Sequence, residues 1–360
     1  MNAEFNHALL SLARQFRGRS QTDVAKASGI NQGHYSRIEN GLLPDGPSAE
    51  NVGRIAAALD FPASFFYQPD AVTGLPLSVH PMYRKRASLS DRELKLIHAE
   101  INIRLMHVRR YLSAVELEPE LPLPWIDVDE GGGAEELARS IRRAWMVPDG
   151  RIENLTDLCE RAGIVVVWCD FDAAIDGVAM RTRDLPPCVF LNSRRPADRM
   201  RFSLAHELGH LIMHRVPTEE MEAEANRFAG EFLVPEKSFR SHVIGNRVTL
   251  EFLARQKAYW HTSMAFLLYQ AGHHGLITRH QSEYLWKQLS SMGWRTREPA
   301  ETDVPPEEPA LFPHILRLHS DDMGYTPEAL GQLVHASPGD VRRLYGRHIS
   351  QARPRLAIVK

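Results

Sequence analysis

The apolar positions change their spacing along the chain, and each change predicts a different kind of element. Between residues 9 and 61, apolar residues recur at helical spacing in short stretches separated by turn formers, which predicts a bundle of short helices. From 90 to 113 they recur every three or four residues without a break, which predicts one long amphipathic helix. Short apolar runs between 164 and 191 predict strands, and helical spacing returns from 199 onward. The chain is therefore expected to be mainly α-helical with a small β-sheet and to contain several domains.

Capping residues support the predicted helix boundaries. Ser20 and Asp23 have the spacing of a capping box, and Gly29 can end the helix that they begin. Asn31 can cap the helix that follows. A second capping box, at residues 90–93 (SDRE), comes directly before the long amphipathic helix.

Composition and charge narrow the function only slightly. With 43% hydrophobic and 24% charged residues over 360 positions, the composition is that of a globular protein of two or three domains. The net charge of −2 does not by itself indicate a polyanionic partner. Three cysteines lack metal-ligand spacing, the start does not resemble a signal peptide, and no apolar run is long enough to span a bilayer. These features predict a cytoplasmic protein without a membrane partner.

The segment 206–210 (HELGH) is the strongest chemical signal in the chain. Because residues four apart on a helix share a face, His206 and His210 can bind one Zn²⁺. Glu207 between them can activate the attacking water as a general base. Glu222, on the next predicted helix, can supply a third protein ligand and leave one position open for water or substrate. This set predicts the site of a zinc peptidase.

The polar residues of the helix that follows lie on two different faces. Glu222 and Asn226 lie one turn apart beside the apolar face, whereas Glu224, Arg227 and Glu231 fall together on the outward face. Glu224 is therefore expected to pair with Arg227 and to be the second choice as a ligand. Asn226 is expected to orient a ligating histidine without touching the metal.

Two other interpretations of these residues stay open. The histidines could be a buried pair satisfied by hydrogen bonds, with Glu207 bonded to a backbone group. Zinc could also be bound without turnover, as a structural or sensory ion. His214 continues the series of histidines four residues apart, and a hydrogen bond at the helix end is expected for it rather than a substrate contact.

The surrounding segments resemble the ImmA/IrrE family of zinc metallopeptidases. The resemblance rests on 189–192 (VFLN), 201–211 (RFSLAHELGHL) and 222–235 (EAEANRFAGEFLVP), which has Leu-Val-Pro where the family usually has Leu-Met-Pro. It implies a minimal gluzincin fold, a small sheet plus helices, in which the two histidines and Glu222 bind zinc. It also implies that the intervening glutamate is the general base, in a regulator that cleaves a repressor of the Xre/Cro type.

Residues 9–61 contain a second recognisable pattern. The segments 20–25 (SQTDVA), 29–32 (GINQ) and 36–41 (SRIENG) place two short helices and a glycine turn at the spacing of a helix-turn-helix. This part of the chain resembles the Xre/Cro family of helix-turn-helix DNA-binding proteins. The resemblance implies that the second helix enters the major groove of a double-stranded DNA operator.

Five polar residues are the predicted DNA contacts. Because the N-terminal part of a recognition helix faces the bases, Gln32, His34 and Arg37 are the base-reading candidates. Gln21 and Asn40 are expected to contact phosphates.

The charge of this region predicts that any DNA binding is weak in its non-specific part. Residues 1–68 hold six Lys/Arg and six Asp/Glu, so non-specific attraction to phosphate should be modest. Gly33 also replaces the usual polar residue and weakens the expected base readout. A helix-turn-helix that mediates only protein contacts is the alternative.

Two helical segments have no single predicted role. The helix at 90–113 suits either dimerisation of two DNA-binding domains on a palindromic site or packing on the peptidase domain of its own chain. Residues 326–345 have helix-turn-helix spacing, and a plain helical subdomain is the preferred interpretation.

The expected organisation has four regions. They are a helix-turn-helix domain (1–67), a linker with the amphipathic helix (68–129), an α+β gluzincin-like peptidase domain (130–296), and a linker with a helical C-terminal subdomain (297–360). The predicted function is that of a transcriptional regulator, expected to be a homodimer, that cleaves itself or a partner regulator with Zn²⁺ as cofactor. The alternative is a non-proteolytic repressor or antitoxin whose peptidase-like domain senses a metal or ligand or binds a partner protein.

Overall fold

The computed structural model describes residues 4–74, 90–171 and 175–349, which divide into two compact units. The described part of the first unit is made of residues 4–74, 90–116 and 311–349, and that of the second unit lies within 117–310. Within the described ranges, no helix has the length and apolar character needed to cross a membrane. Residues 75–89 of the predicted linker lie outside the described residues.

The two units have different secondary structure. The first unit contains the helices α1 (His7–Phe16), α2 (Gln21–Ser28), α3 (Gln32–Glu39), α4 (Ala49–Leu59), α5 (Asp91–Leu112), α14 (Leu311–Arg317), α15 (Pro327–Leu333) and α16 (Pro338–Tyr345). The second contains α6 (Ala134–Ala144), α7 (Leu155–Arg161), β1 (Val165–Cys169), β2 (Gly177–Met180), β3 (Cys188–Asn192), α8 (Ala197–Met213), α9 (Met221–Leu233), α10 (Glu236–Val243), α11 (Leu250–Trp260), α12 (Met264–His273) and α13 (Arg279–Ser291). The predicted fold class, mainly α with a small sheet, is confirmed.

The predicted caps form the turns of the N-terminal helices. The Ser20 side chain accepts a hydrogen bond from Asp23 N–H, and the Asp23 carboxylate accepts one from Ser20 N–H. Gly29 ends α2 with a left-handed φ of 66°, which glycine adopts without steric cost. The Asn31 side chain accepts from Gly33 N–H at the start of α3. Local hydrogen bonds therefore determine the turn between α2 and α3.

The long helix α5 is buried inside the first unit. It packs against α1 and α14, and its Glu100 and Arg104 form an ion pair at 2.8 Å with both side chains buried. His107 Nδ1 lies 2.8 Å from the Tyr345 hydroxyl, and burial lowers the pKa of His107 to about 3. These partners on α1 and near the C-terminus were not indicated by the sequence. Dimerisation through α5 stays a prediction.

The sheet of the second unit places β2 at an edge. Its strand order is β1-β3-β2, with β1 parallel and β2 antiparallel to β3. Helix α8 packs on β2 and β3 and also against α9. The first turn of α8 is held by Lys257, which is buried and donates to Asp198 at 2.6 Å and to Glu298 at 2.7 Å. The edge strand and the two helices together surround the candidate site.

Candidate metal centre and DNA-binding helix

Helices α8 and α9 carry the candidate metal ligands and approach each other closely. A Cβ atom at Gly209 would lie 3.2 Å from the Phe228 ring and 3.4 Å from the Ala225 Cα, so glycine allows the approach. The apolar face of α9 is fully buried, as its spacing predicts. This packing brings Glu222 opposite His206 and His210.

Three ligand atoms converge between the two helices. The Nε2 atoms of His206 and His210 are 3.0 Å apart, and Glu222 places Oε1 3.3 Å from His210 Nε2 and Oε2 3.7 Å from His206 Nε2. Tetrahedral zinc with bonds of about 2.0–2.1 Å requires ligand atoms about 3.3 Å apart. Burial lowers the pKa of His206 to about 4 and that of His210 to about 3. Both imidazoles are therefore neutral at pH 7, as metal ligands must be.

Hydrogen bonds on the far side of each ring determine which nitrogen carries the proton. Because a carboxylate only accepts, His214 Nε2–H donates to Glu224 at 3.0 Å. Neutral His214 then accepts at Nδ1 from His210 Nδ1–H, at 2.9 Å. In the same way His206 Nδ1–H donates to the Asn226 carbonyl at 3.1 Å. His206 and His210 therefore both present an unprotonated Nε2 to the site.

No hydrogen atom is available to bridge the converging ligand atoms. The two Nε2 atoms and the carboxylate oxygens all carry lone pairs, and Glu222 Oε1 is buried without a hydrogen-bond partner. Among the described residues, His206, His210 and Glu222 form a group whose ligand atoms all lie within 4.8 Å of one another. A divalent cation satisfies all of them, so the donor set fits zinc.

The outward face predicted for α9 is not exposed, which corrects two expectations. Glu224 bonds to His214 and does not pair with Arg227, which lies 3.6 Å from Glu135. Glu231 is buried and pairs with Arg139 at 3.1 Å. The reason is that α6 packs along this face of α9, and a helical wheel does not show which neighbour covers a face.

Glu207 is held by the edge strand of the sheet. Its side chain is buried, and Oε2 accepts a hydrogen bond from Ala179 N–H at 2.7 Å. A Cβ atom at Gly177 would lie 3.3 Å from Glu207 Cγ, so glycine at this position lets the strand approach. A backbone group of a strand thus orients the carboxylate, and motions of loops or side chains do not easily displace such a group.

The predicted DNA contacts differ in their availability on the first unit. Gln32 and Arg37 are exposed on α3. His34 is half-buried with Nε2 3.2 Å from Asn51 Nδ2, and Asn40 donates to the Ser36 carbonyl at 2.7 Å and closes the end of α3. Gln32 and Arg37 are therefore the better placed candidates for reading bases.

Gln21 belongs to a hydrogen-bonded cluster at the start of α2. Glu39 is buried and forms an ion pair with Arg14 at 2.6 Å. Burial raises the pKa of the Glu39 carboxylate, but hydrogen bonds from Arg14 and Gln21 contribute to a larger opposing effect that lowers it overall. Gln21 is thus partly committed to orienting this cluster, and its phosphate contact stays a prediction.

Comparison with known families agrees with both patterns. Residues 10–66 match the helix-turn-helix family, and residues 159–271 match the IrrE N-terminal-like domain, a peptidase family. The chain joins an Xre-type helix-turn-helix domain to an IrrE-like peptidase domain. It is a DNA-binding regulator with a peptidase-like domain. Searches of curated proteins and of solved structures found no match.

The hydrogen-bond partners of two groups in the IrrE-like site were not predicted from sequence. His214 forms hydrogen bonds at the end of α8, as expected, and the structure adds its partners, because its side chain links His210 to Glu224. The signal was present as the third histidine of the series on α8, but its carboxylate partner is on another helix. A bond from a backbone group to Glu207 was expected only in the alternative in which the histidines bind no metal. The structure forms it from Ala179 N–H, a partner that left no signal in side-chain identity because a backbone group makes the bond.

Loss of His214 is expected to weaken zinc binding by about 10–100-fold, because groups that orient a ligand contribute this much to metal affinity. His214→Leu removes the acceptor for His210 Nδ1–H, whereas His214→Gln retains an acceptor and should bind zinc more tightly than His214→Leu. Competition with a chelating indicator measures both affinities. His280→Gln, at an exposed position, is the matched control, and equal affinity of His214→Leu and wild type would contradict the assignment.

Zinc affinity is expected to change little between pH 7.5 and 5.5. Burial lowers the pKa of His206 to about 4 and that of His210 to about 3, so both stay neutral until the pH falls well below 5.5. Two histidines with ordinary pKa values near 6.5 would together weaken binding roughly 100-fold at pH 5.5. The same indicator competition across this pH range distinguishes the two cases, and a 100-fold loss would contradict the lowered pKa values.

Proposed function

We propose that this regulator is a zinc-dependent endopeptidase that cleaves itself or a partner regulator and thereby switches transcription. The observation that carries the proposal is the convergence of three unprotonated ligand atoms beside a buried glutamate. A catalytic zinc site uses three protein ligands and keeps one position open, and His206, His210 and Glu222 would supply the three. Bound zinc would supply Lewis acidity toward the peptide carbonyl and the attacking water.

Glu207 would move the proton in this reaction. It would take a proton from the attacking water and deliver it to the nitrogen of the departing amine, which balances the hydrolysis. Ala179 N–H holds one carboxylate oxygen at 2.7 Å and so fixes the direction of the other. Asn226 and His214 would keep the ligating histidines in the tautomer that zinc requires.

The edge strand favours an extended peptide as substrate. Because β2 is at the edge of the sheet that the described strands form, and its Ala179 N–H donates to Glu207, this edge runs alongside the proposed catalytic carboxylate. An extended chain can pair with such an edge through backbone hydrogen bonds. Recognition through backbone tolerates varied side chains, which suits cleavage of a flexible segment in this chain or in a regulator bound nearby.

The fusion of the two domains supports a transcriptional role. A DNA-reading domain and a peptidase domain on one chain would bring cleavage to or near an operator, where it would change the occupancy of that operator. We propose Gln32, His34 and Arg37 for base contacts, Gln21 and Asn40 for phosphate contacts, and a homodimer on a palindromic operator.

Proteolysis is tested directly by looking for new chain ends. The purified full-length protein is incubated with zinc, with zinc and a chelator, and with zinc plus cell extract, and new N-termini are identified by mass spectrometry. We expect zinc-dependent cleavage of the chain or of one extract protein. Zinc bound at one ion per chain without any cleavage would reject the endopeptidase and favour the metal-sensing or partner-binding alternative.

A further inference from the structure

The segment 326–345 repeats the capping pattern of the helix-turn-helix at 20–39. Thr326 caps α15 by accepting from the third helical N–H, as Ser20 caps α2. Ser337 then caps α16 at the position where Asn31 caps α3. The two pairs of helices therefore begin at equivalent positions.

The turns between the helices also match. Each places one residue in the left-handed conformation, Gly29 with φ of 66° and His335 with φ of 52°. Each closes with a hydrogen bond from the next N–H to a carbonyl five positions back, at 3.0 Å in the first turn and 2.9 Å in the second. A Cβ atom at Gly331 would lie 3.0 Å from the Ala336 carbonyl oxygen. A small residue is therefore required at position 331, where the turn passes close to the helix.

Both motifs bury residues at the same positions. Equivalent buried pairs are Val24 and Leu330, Ala25 and Gly331, Ile30 and Ala336, Tyr35 and Val341, and Ile38 and Leu344. Caps, turn and buried positions thus agree independently, and the second motif is more than a pair of short helices.

The second motif is anchored within the first unit. Asp340 is buried and accepts from Arg17 at 2.6 Å, and Ser337 donates to Asp60 at 3.1 Å. These contacts lie on the inner side of α16. They leave its opposite side at the surface, where Pro338, Gly339 and Arg342 are exposed.

The exposed side of α16 is basic. Arg342 and Arg343 occupy the positions of Ser36 and Arg37 in the first motif, and both are exposed. Arg343 remains 52% exposed, although its guanidinium lies 3.5 Å from Asp340 and 4.9 Å from the centre of the Phe16 ring. Residues 338–349 have three arginines and one acid, whereas residues 1–68 have no net charge. A surface of this kind attracts a polyanion.

We propose that residues 326–349 form a second helix-turn-helix that binds double-stranded DNA through Arg342 and Arg343 of α16. Of the three positions proposed to read bases in the first motif, Gln32 corresponds to Pro338, which offers no side-chain hydrogen bond, and His34 corresponds to the buried Asp340. Arg37 corresponds to Arg343. With two of the three positions lost, the two arginines contact phosphates, and binding discriminates little between sequences. The second motif adds to the affinity of the regulator, and the first supplies its selectivity.

The salt dependence of DNA binding tests this proposal. The full-length protein is titrated onto a 30-bp duplex of mixed sequence (about three helical turns) at several salt concentrations, with fluorescence anisotropy as the readout. Each phosphate contact contributes about 0.9 to the slope of log affinity against log salt. The double variant Arg342→Gln/Arg343→Gln is expected to lower the slope by about 2 and to weaken binding about tenfold or more at 0.1 M salt.

A matched variant separates this contact from bulk charge. Arg255→Gln/Arg279→Gln removes the same charge from arginines whose side chains are 62% and 93% exposed on the second unit, and it should leave affinity and slope unchanged. Unchanged binding by the α16 variant, or an equal loss in both variants, would overturn the proposal. Arg342→Gln alone, with an expected slope change of about 1, replaces the double variant if the latter unfolds.

The same titration distinguishes loss of DNA binding by the first motif from loss of DNA binding by the second. Gln32→Ala/Arg37→Ala should reduce discrimination between sequences while the contribution of α16 to the salt slope persists. The peptidase activity does not enter either measurement, so the result stands whether or not the chain cleaves protein.

Discussion

Replacing Glu207 by glutamine is expected to slow peptide-bond cleavage by about 10²–10⁴-fold while the zinc content stays the same. Glutamine has the shape of glutamate, and its side-chain carbonyl can still accept the bond from Ala179 N–H that is 2.7 Å long in the native protein. The substitution is therefore expected to remove the proposed base without moving the helix that carries His206 and His210. Single-turnover cleavage of the substrate identified for the wild type measures the rate, and elemental analysis measures zinc.

A matched control distinguishes loss of the base from loss of charge. Glu219→Gln makes the same change at an exposed position between α8 and α9 and should cleave at the wild-type rate. Cleavage by Glu207→Gln at more than a tenth of the wild-type rate would show that another group moves the proton. Loss of zinc from Glu207→Gln would instead show that the glutamate acts mainly in holding the site together.

Glu222→Ala is expected to abolish stoichiometric zinc binding, with a loss of affinity beyond the roughly 100-fold that removal of a supporting hydrogen bond produces. The reason is that Glu222 brings carboxylate oxygens to 3.3 Å and 3.7 Å from the two histidine nitrogens, and the structure places no other carboxylate among these atoms in the described chain. Glu224→Ala should cost about 10–100-fold, because Glu224 acts on His210 only through His214. Indicator competition and elemental analysis of the purified variants rank the two residues.

One outcome would contradict the ranking of Glu222 above Glu224 as the zinc ligand. If Glu224→Ala lost zinc completely and Glu222→Ala retained it, the ligand would be Glu224 and α9 would have to turn relative to α8. Glu219→Ala, which removes an exposed acid, controls for the change in net charge. No uptake of zinc by the wild-type protein would reject the metal centre as a whole.

The helices and their ends were largely predictable from local sequence. The capping box of Ser20 and Asp23 and the helix end at Gly29 involve groups only a few residues apart, and the structure forms them as expected. The spacing of His206 and His210 placed two nitrogens on one face, and their Nε2 atoms lie 3.0 Å apart. The choice of Glu222 over Glu224 followed from helical faces and agrees with where the two side chains lie, although the metal-ligand assignment stays a prediction.

The expectations that failed involved contacts between distant elements. Glu231 was expected on an outward face, but α6 covers that face and pairs Arg139 with Glu231. Glu224 was expected beside Arg227, but the crossing of α8 and α9 puts it on His214. In both cases a helical wheel predicted the direction of the side chain but could not predict which element packs against that side chain.

The sequence by itself determined what depends on short range: the positions of the helices and strands, their caps, the shared face of the two histidines and the two family resemblances. The tertiary structure alone decided which groups complete the site, namely the relay from Glu224 through His214, the backbone bond from Ala179 to Glu207, and the burial of α5 among helices from both ends of the chain. The physical reason is the separation along the chain of the groups that interact. Hydrogen bonds within a turn and the period of a helix are encoded in neighbouring residues, whereas contacts between elements depend on crossing geometry that the packing of the whole unit sets.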